Sequence, residues 1–393
     1  MENIQTEDKN KPTRKLPSFG KICVILLIIF VLTVMLARYI ADQDFRKSVD
    51  EGILRRELTS ESVNTIDINS EYNPTICALN KNIVVLSKSM LNIYDSNGKS
   101  VNSININLYS PLTATNGNNL VLAENEGSKL YVIRNTSLAW QNTVQGTITR
   151  VNINKNGYVS VIVSNTTHKS VVIVFDNYGT EVFKYYLAQT SAVCTDISED
   201  NKYLAIGEVD YSGTIIRSYI RIISFDKVQT DPENAMVNRY TSDTDEIIIN
   251  VKYAEKHNAI CMFTSYIQEI TPTEDKKLMD ITNAIIFADV NMLGNLTLIE
   301  KQSSGLFSYD YQMKILSSNM NKSSLFILSN SMPKTIDCSG DKVCINYGNE
   351  IQIVNSSGWQ LKKYIPHSEI KSVVIGNNIA GIVYKDEIDI VTF

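Results

Sequence analysis

The stretch VVIGNNIAGIVYKDEIDIVTF, Val373–Phe393, contains three short apolar segments separated by two polar turns. The turns fall at Asn377–Asn378 and Lys385–Asp386, and residues of these types tolerate the backbone conformations that tight turns need. The pattern therefore predicts three antiparallel strands joined by hairpins. The printed sequence stops after the third of them, so a four-stranded unit would lack its last strand.

The same rhythm recurs upstream at a period of roughly 35–50 residues, which indicates a repeat architecture. In the first complete unit we expect four strands, at Thr75–Leu79, Ile83–Ser87, Leu91–Tyr94 and Val101–Ile106. Further units are expected to begin near Pro111, Thr147, Ala192, Glu246, Asn283, Thr335 and Lys371. The sequence thus predicts an all-β, eight-bladed β-propeller, with a seven-bladed ring as the alternative.

The stretch SVNTIDIN, Ser62–Asn69, alternates polar and apolar residues and stands before the first complete unit. A ring of blades must close without leaving a bare strand edge. We therefore expect this N-terminal strand to complete the last blade. A β-sandwich, or two small β-domains, would not explain an incomplete last repeat together with a spare strand at the front.

The N-terminal region predicts a membrane anchor. Ile22–Ala37 is uncharged and apolar, and with its flanks it reaches the roughly 20 residues that a bilayer needs. We expect a cytoplasmic tail (1–20), a transmembrane signal anchor (21–40), a stalk or linker with a helical pattern (41–61) and an extracytoplasmic propeller (62–393). The basic tail favours this single-pass orientation in the cell membrane, with the N-terminus cytoplasmic.

Composition narrows the class of protein. The net charge is −5 and no basic stripe is present, so nucleic acid is not expected as a partner. The heavy use of Asn, Ile, Ser and Lys indicates a low-GC genome, such as that of a Gram-positive bacterium. Of the six cysteines, Cys23 lies in the apolar N-terminal run, and the other five have no metal-ligand spacing and are expected to be small buried hydrophobes. A disulfide between Cys338 and Cys344 across one hairpin stays open.

The sequence contains none of the common catalytic motifs, so no catalytic, cofactor-binding or metal-binding residue is predicted. His168, His257 and His367 are scattered and are expected to be turn residues. Carboxylates such as Asp243 and Asp386 fall in turns, where they act most simply as solubilising charges. An enzyme with its site over the central channel, quinone-dependent or a hydrolase, is the alternative function.

Several turns share a loose aspartate-or-asparagine, glycine and aromatic pattern, as in DNYGTEVFKY at Asp176 and NSSGWQLKKY at Asn355. These turns resemble the blades of quinoprotein-like propellers, and DISEDNKYLAIG (Asp196–Gly207) resembles the start of a WD-type blade. The whole chain also resembles an uncharacterised (domain of unknown function) family of membrane-anchored propellers from clostridia. SSGLFSYDY (Ser303–Tyr311) and Glu369–Ile390 carry that resemblance, which implies a fold and a cell-surface location but no activity.

Two connections between second and third strands are longer than the rhythm requires, at Gly207–Ser218 and Gln302–Gln312. Their aromatic residues would lie on one face of the ring, where exposed aromatic side chains are typical of contact surfaces. The candidate partner-binding residues are Tyr211, Phe307, Tyr309 and Tyr311. A third long stretch, Tyr266–Asp280, is expected to be a polar loop.

These features favour a non-catalytic interaction or scaffold module whose partner is an envelope protein, a peptide or a glycan. A sensor subunit of a membrane complex is a further alternative.

Overall fold

The computed structural model describes residues 19–41, 49, 57–59, 63–164, 167–255, 257–290, 294–305, 308–317, 323–328, 331–356 and 360–393. The chain divides into two compact units, residues 1–57 and 58–393. In the first unit, helix α1 spans Phe19–Ala41, and its apolar side chains from Val24 to Leu36 are exposed. Judged on the residues that the structure describes, the chain has no helix of sufficient length and apolarity to cross a membrane. The span expected over residues 21–40 is therefore not confirmed.

Eight sheets make up the second unit, each built from antiparallel neighbours. A short first strand, β1 (Glu57–Thr59), precedes β2 (Asn64–Asp67). Blades 1 to 4 then follow in chain order, with these strands: β3 (Thr75–Leu79), β4 (Asn82–Ser87), β5 (Met90–Tyr94) and β6 (Ser100–Asn105); β7 (Pro111–Asn116), β8 (Asn119–Glu124), β9 (Lys129–Arg134) and β10 (Ser137–Thr143); β11 (Thr147–Ile153), β12 (Val159–Ser164), β13 (Ser170–Phe175) and β14 (Glu181–Leu187); β15 (Ser191–Ile197), β16 (Tyr203–Asp210), β17 (Arg217–Ser224) and β18 (Met236–Thr241).

Blades 5 to 8 continue the same order of strands. They comprise β19 (Ile248–Glu255), β20 (Asn258–Phe263), β21 (Tyr266–Ile270) and β22 (Asp275–Asp280); β23 (Ala284–Val290), β24 (Leu296–Ser303), β25 (Tyr309–Leu316) and β26 (Ser323–Ile327); β27 (Thr335–Ser339), β28 (Lys342–Asn346), β29 (Ile351–Asn355) and β30 (Gln360–Ile365); and β31 (Ser372–Ile375), β32 (Ile379–Val383) and β33 (Glu387–Thr392). A short helix, α2 (Phe225–Thr230), interrupts blade 4 between its third and fourth strands.

The core is divided into eight apolar clusters, one at each interface between neighbouring blades. Successive side chains of a strand point to opposite faces of its sheet, so each inner strand feeds two clusters. In β13, Val171 and Ile173 pack towards blade 2, whereas Val172 and Val174 pack towards blade 4. This explains why the sequences of the middle strands are continuous apolar runs. The eight interfaces also show that the ring has eight blades and not seven.

The ring closes as the sequence predicts. Strand β2 pairs antiparallel with β33, the third strand of blade 8, in a register that sets Thr65 opposite Asp389. Ile66 is 3% exposed and belongs to the cluster between blades 8 and 1. The closing strand is therefore part of both a sheet and a blade interface.

Two features differ from the sequence-based expectations. Strand β1 joins blade 7 as a fifth strand beside β30, so the end of the predicted stalk includes a strand. Most of the stalk lies outside the described residues. The stretch expected to be a polar loop, Tyr266–Asp280, is the hairpin of β21 and β22, and the apolar residues Tyr266, Ile267 and Ile270 of β21 are buried.

The cysteines of the propeller are free thiols within the described residues. Cys338 lies opposite Val343, and Cys344 lies opposite Asp337, so the two side chains point to opposite faces of the sheet. The open question of a disulfide between them is thereby answered in the negative. Burial raises the pKa of the Cys77 and Cys194 thiols to about 12, which keeps both protonated and unreactive at neutral pH.

Candidate partner-binding face

The up-and-down order of the strands sorts the connections onto two faces of the ring. Turns between second and third strands lie on the same face as the connections from one blade to the next. Tyr211 follows β16 and Tyr309 begins β25, so both lie at second-to-third-strand connections, as the sequence predicts.

Exposed apolar side chains concentrate on this face. Among the described residues of the propeller, six tyrosines are exposed, and five of them lie here: Tyr72, Tyr109, Tyr186, Tyr211 and Tyr309. We call this surface the tyrosine face. Met90, Ile215, Ile247, Ile249 and Met332 are exposed at the same end of the ring.

The Tyr211 side chain is held in place although 57% of its surface is exposed. Its hydroxyl forms a 2.9 Å hydrogen bond with Ser191 Oγ, and Lys169 Nζ lies 4.5 Å from the ring centroid. The preceding residue, Asp210, accepts hydrogen bonds from the backbone N–H and the hydroxyl of Ser212. These bonds lower the pKa of the Asp210 carboxyl and fix the start of the loop.

Two other exposed tyrosines also have a lysine ammonium group over the ring. Lys301 Nζ lies 3.7 Å from the Tyr309 ring centroid, and Lys88 Nζ lies 3.5 Å from that of Tyr72. Such cation–π contacts contribute about 0.5–1 kcal/mol at exposed sites. Each pair presents a flat apolar ring beside a positive charge, a combination that suits a protein surface carrying both apolar and acidic groups.

The remaining predicted residues do not contribute to the exposed surface that the structure describes. Tyr311 is only 6% exposed, because β25 alternates and carries this ring into the cluster between blades 6 and 7. Its expected exposure on the loop is therefore wrong. Phe307 lies outside the described residues.

Sequence reasoning missed Tyr109, Tyr72 and Tyr186 because it considered only the two longest second-to-third-strand connections. Tyr109 is 89% exposed and lies between blades 1 and 2. Glu124 orders this connection by accepting hydrogen bonds from the backbone N–H groups of Tyr109 and Ser110, at 3.0 and 3.2 Å. The sequence did contain a signal for these tyrosines, because the blade-to-blade connections lie on the same face of the ring as the long loops.

A buried polar network lies beneath the tyrosine face in blade 4. Glu208 is fully buried, and its carboxylate accepts hydrogen bonds from the Arg221 guanidinium and, at 2.7 Å, from the Thr190 hydroxyl. Arg221 also donates to Tyr185 Oη of blade 3 at 3.1 Å. Although burial alone would lower it, the pKa of Arg221 is raised by its bond to Glu208, so the guanidinium stays charged.

Acidic side chains of the innermost strands brace neighbouring blades. Asp196 accepts hydrogen bonds from Asn152 Nδ2 of blade 3 at 2.6 Å and from the Tyr253 backbone N–H of blade 5 at 2.7 Å. Asp337 of blade 7 accepts one from the Ile375 N–H of blade 8 at 2.8 Å. In the part of the chain that the structure describes, no group of three His, Cys, Asp or Glu side chains could hold a metal ion.

The turn residues also have partners. His257 Nε2 lies 2.8 Å from Asp200, and His367 Nε2 lies 2.8 Å from Glu387. Glu246 accepts hydrogen bonds from the Ser265 hydroxyl, from the Thr264 hydroxyl at 2.6 Å and from the Ser265 N–H at 3.1 Å. Although burial alone would raise it, the pKa of this carboxyl is lowered by these bonds. These groups fasten turns rather than merely adding charge.

Asp337 predicts a pH dependence of stability. Burial, with a smaller contribution from Asp289, raises the pKa of Asp337 from 3.8 to about 6. The folded state therefore binds a proton at Asp337 more tightly than the unfolded state does. The stabilisation that this proton provides is complete below pH 4 and is lost as pH rises to about 6. We expect the free energy of unfolding attributable to this group to fall by ~3 kcal/mol across that window.

Urea unfolding of the wild type and of Asp337→Asn at intervals from pH 4 to 7 would measure this loss. The variant should show a flatter pH profile, whatever its absolute stability. Parallel profiles of the two proteins would contradict the assignment. Asp196, whose pKa burial also raises, is present in both proteins and cancels in the comparison.

Together, the eight sheets, their single ring of interfaces and the closing strand define a β-propeller of eight blades. The chain belongs to the family of unknown function DUF5711, whose model matches residues 55–393. A search of curated proteins found no match.

Solved structures with a similar fold are β-propellers. BamB from Moraxella catarrhalis is 11% identical, with 84% of this chain and 99% of that chain covered and a TM-score of 0.48. Apo AztD from Citrobacter koseri is 9% identical, with coverage of 75% and 86% and a TM-score of 0.47. The C-terminal WD40 domain of Sif2 is 10% identical, with coverage of 72% and 97% and a TM-score of 0.44.

Proposed function

We propose that this protein is a non-catalytic interaction module that binds a partner protein of the cell envelope through the tyrosine face. The observation that carries the proposal is the concentration of exposed tyrosines on one face of the ring. Aromatic side chains are enriched at protein interfaces because they bury a large apolar area at a low cost in conformational entropy.

A protein partner fits this face better than a small ligand. The exposed tyrosines lie in connections between blades 8 and 1, between blades 1 and 2 and within blade 4, and at strand ends of blades 3 and 6. One partner that contacts several of them must cover a wide area, as stable protein interfaces do. Closed inter-blade clusters beneath the face give a rigid platform, which reduces the ordering cost of binding.

The proposal includes a membrane anchor and an extracytoplasmic location for the propeller. It is supported by the uncharged, apolar sequence of Ile22–Ala37 and by the basic residues of the N-terminal 21 residues. In this arrangement the anchor keeps the tyrosine face close to other envelope proteins.

Site-specific photo-crosslinking in native membranes would test the proposal. The full chain would carry a photoreactive amino acid at Tyr109, Tyr211 or Tyr309, and membranes would be washed with alkaline carbonate before irradiation. We expect the chain to stay in the washed membranes and all three positions to yield adducts with one common protein. Leu325 is the matched control, because it is 58% exposed on an outer strand.

Release of the chain by carbonate would contradict the anchor. Adducts that differ at each tyrosine, or equal yields at Leu325, would contradict a partner-binding face. The two parts of the proposal can therefore fail separately.

A further inference from the structure

A cleft opens between blades 2 and 3 on the face opposite the tyrosine face. Its volume is about 530 Å³, and its walls come from the turn before β10, the start of β10 and the turn between β13 and β14. Leu138 on one wall is 39% exposed, and Tyr178 on the other is 77% exposed. The cleft therefore has apolar groups on both walls at its mouth.

Arg134 lies in this cleft in a fixed position. Its Nη2 donates to the Asn177 carbonyl oxygen at 2.7 Å, and its Nε donates to Asn119 Oδ1 at 3.3 Å. Gly157, with φ +86°, leaves room for the guanidinium, since a Cβ there would lie 2.8 Å from Arg134 Nη2. Contacts from two blades thus hold the side chain before any ligand arrives.

Arg134 has no acidic partner in contact among the described residues. The residues that line the cleft include no Asp or Glu, and the ion pairs between described residues do not involve Arg134. The hydrogen bonds of the described residues leave its Nη1 donors unused. The planar fork of a guanidinium matches the geometry of a carboxylate, which is the acidic group that a peptide side chain offers.

The cleft also adjoins a strand edge that no described strand covers. Strand β10 is the outermost strand of blade 2, so its outer backbone groups face away from the sheet. Such an edge is a template for an added strand. This chain already uses one of its own edges in that way, because β1 adds to β30 at the corresponding edge of blade 7.

The bulge in β10 does not exclude strand addition. The register of β10 skips Ala139, and the register of β30 skips Leu361 near its own start. Strand β30 nevertheless accepts β1, so a bulge at this point of an outer strand is compatible with a neighbouring strand.

We propose that the cleft between blades 2 and 3 binds an extended segment of a partner protein that adds to the edge of β10. The segment places an acidic side chain on Arg134 and an apolar side chain between Leu138 and Tyr178. This site lies on the face of the ring opposite the tyrosine face, so the inference does not depend on the proposed function.

Selection from a library of random twelve-residue peptides against the full chain would test this inference. We expect enriched peptides to alternate apolar residues and to contain an Asp or Glu. Their affinities would be measured by fluorescence polarisation with the wild type, Tyr178→Ala and Arg134→Lys. Each variant should weaken binding about tenfold or more.

Three controls make the result decisive. Replacing the acidic residue of a selected peptide with its amide should cause a similar loss, whereas Tyr109→Ala on the opposite face should cause none. Tyr178→Ala removes only an exposed ring, and an unchanged circular dichroism spectrum would show that the fold is intact. The test therefore does not depend on the Arg134 variant. A selection that enriches no such peptides, or peptides that bind the variants as tightly as the wild type, would overturn the inference. Displacement of the peptide by millimolar succinate or phosphate would overturn it in favour of a site for small anions.

Discussion

Deleting residues 63–68 is expected to destabilise the whole propeller rather than to shorten a tail. The deletion removes β2, and with it the fourth strand of blade 8 and the buried side chain of Ile66. It also removes the 2.8 Å hydrogen bond from Thr65 Oγ1 to Asp389 Oδ1, which leaves a buried carboxylate with one partner fewer. Loss of a buried isoleucine costs about 2–5 kcal/mol, and a lost hydrogen bond to a buried charge adds about 1–3 kcal/mol.

These two losses sum to about 3–8 kcal/mol, which approaches the entire stability of many domains. Urea unfolding followed by circular dichroism would measure it, and the deletion variant should unfold at a much lower midpoint or fail to fold. Ile66→Ala, with an expected loss of about 3 kcal/mol, keeps the test quantitative if the deletion variant does not fold. Ile66→Val is the matched control, with an expected loss of about 1 kcal/mol. An unchanged midpoint for both the deletion and Ile66→Ala would show that the ring does not depend on this strand.

The closure could be predicted from sequence because strand periodicity and strand counting are local properties. The turns at Asn377–Asn378 and Lys385–Asp386 identify three strands, and a sheet that closes a ring cannot leave its last edge bare. Alternation in Ser62–Asn69 then identifies the missing partner. Observed starts such as Thr147 for β11 and Thr335 for β27 match the sequence because each blade begins after a polar connection.

Burial of single side chains was harder to predict because it depends on the neighbouring blade. Tyr309 and Tyr311 are two residues apart on β25 and share one face of the sheet. Tyr309 lies at the end of the strand and is exposed, whereas Tyr311 packs against blade 7. No pattern within blade 6 distinguishes them, since blade 7 is distant in sequence.

Strand β1 was missed for a similar reason. It has only three residues, Glu57–Thr59, and the alternation that identifies a strand needs a longer segment. Its neighbour β30 is some three hundred residues away. The tyrosine face was predicted only in part. The blade-to-blade connection that carries Tyr109 is short, whereas the prediction selected loops by their unusual length.

Glu208→Gln is expected to destabilise the propeller by about 3–5 kcal/mol. The substitution removes the charge that neutralises Arg221, whose side chain is 15% exposed, while Glu208 itself is fully buried. An unpaired guanidinium in this position keeps its desolvation penalty and loses its counter-charge. Because Tyr185 of blade 3 and Thr190 also bond to this pair, the interface beneath the tyrosine face should loosen as well.

A double-mutant cycle would separate the charge pair from packing. Replacing both residues with apolar ones of similar volume, Glu208→Leu with Arg221→Met, removes the two charges together, so stability should return to within about 2 kcal/mol of the wild type. The exposed pair of Lys184 and Glu181, 3.5 Å apart, is the matched control, and Lys184→Ala should cost less than about 1 kcal/mol. If Glu208→Gln cost no more than this surface substitution, Arg221 would have to reach water or another acceptor in the folded state. If the single and double variants were equally destabilised, the loss would come from side-chain packing, and the buried charge pair would not be what joins blade 4 to blade 3.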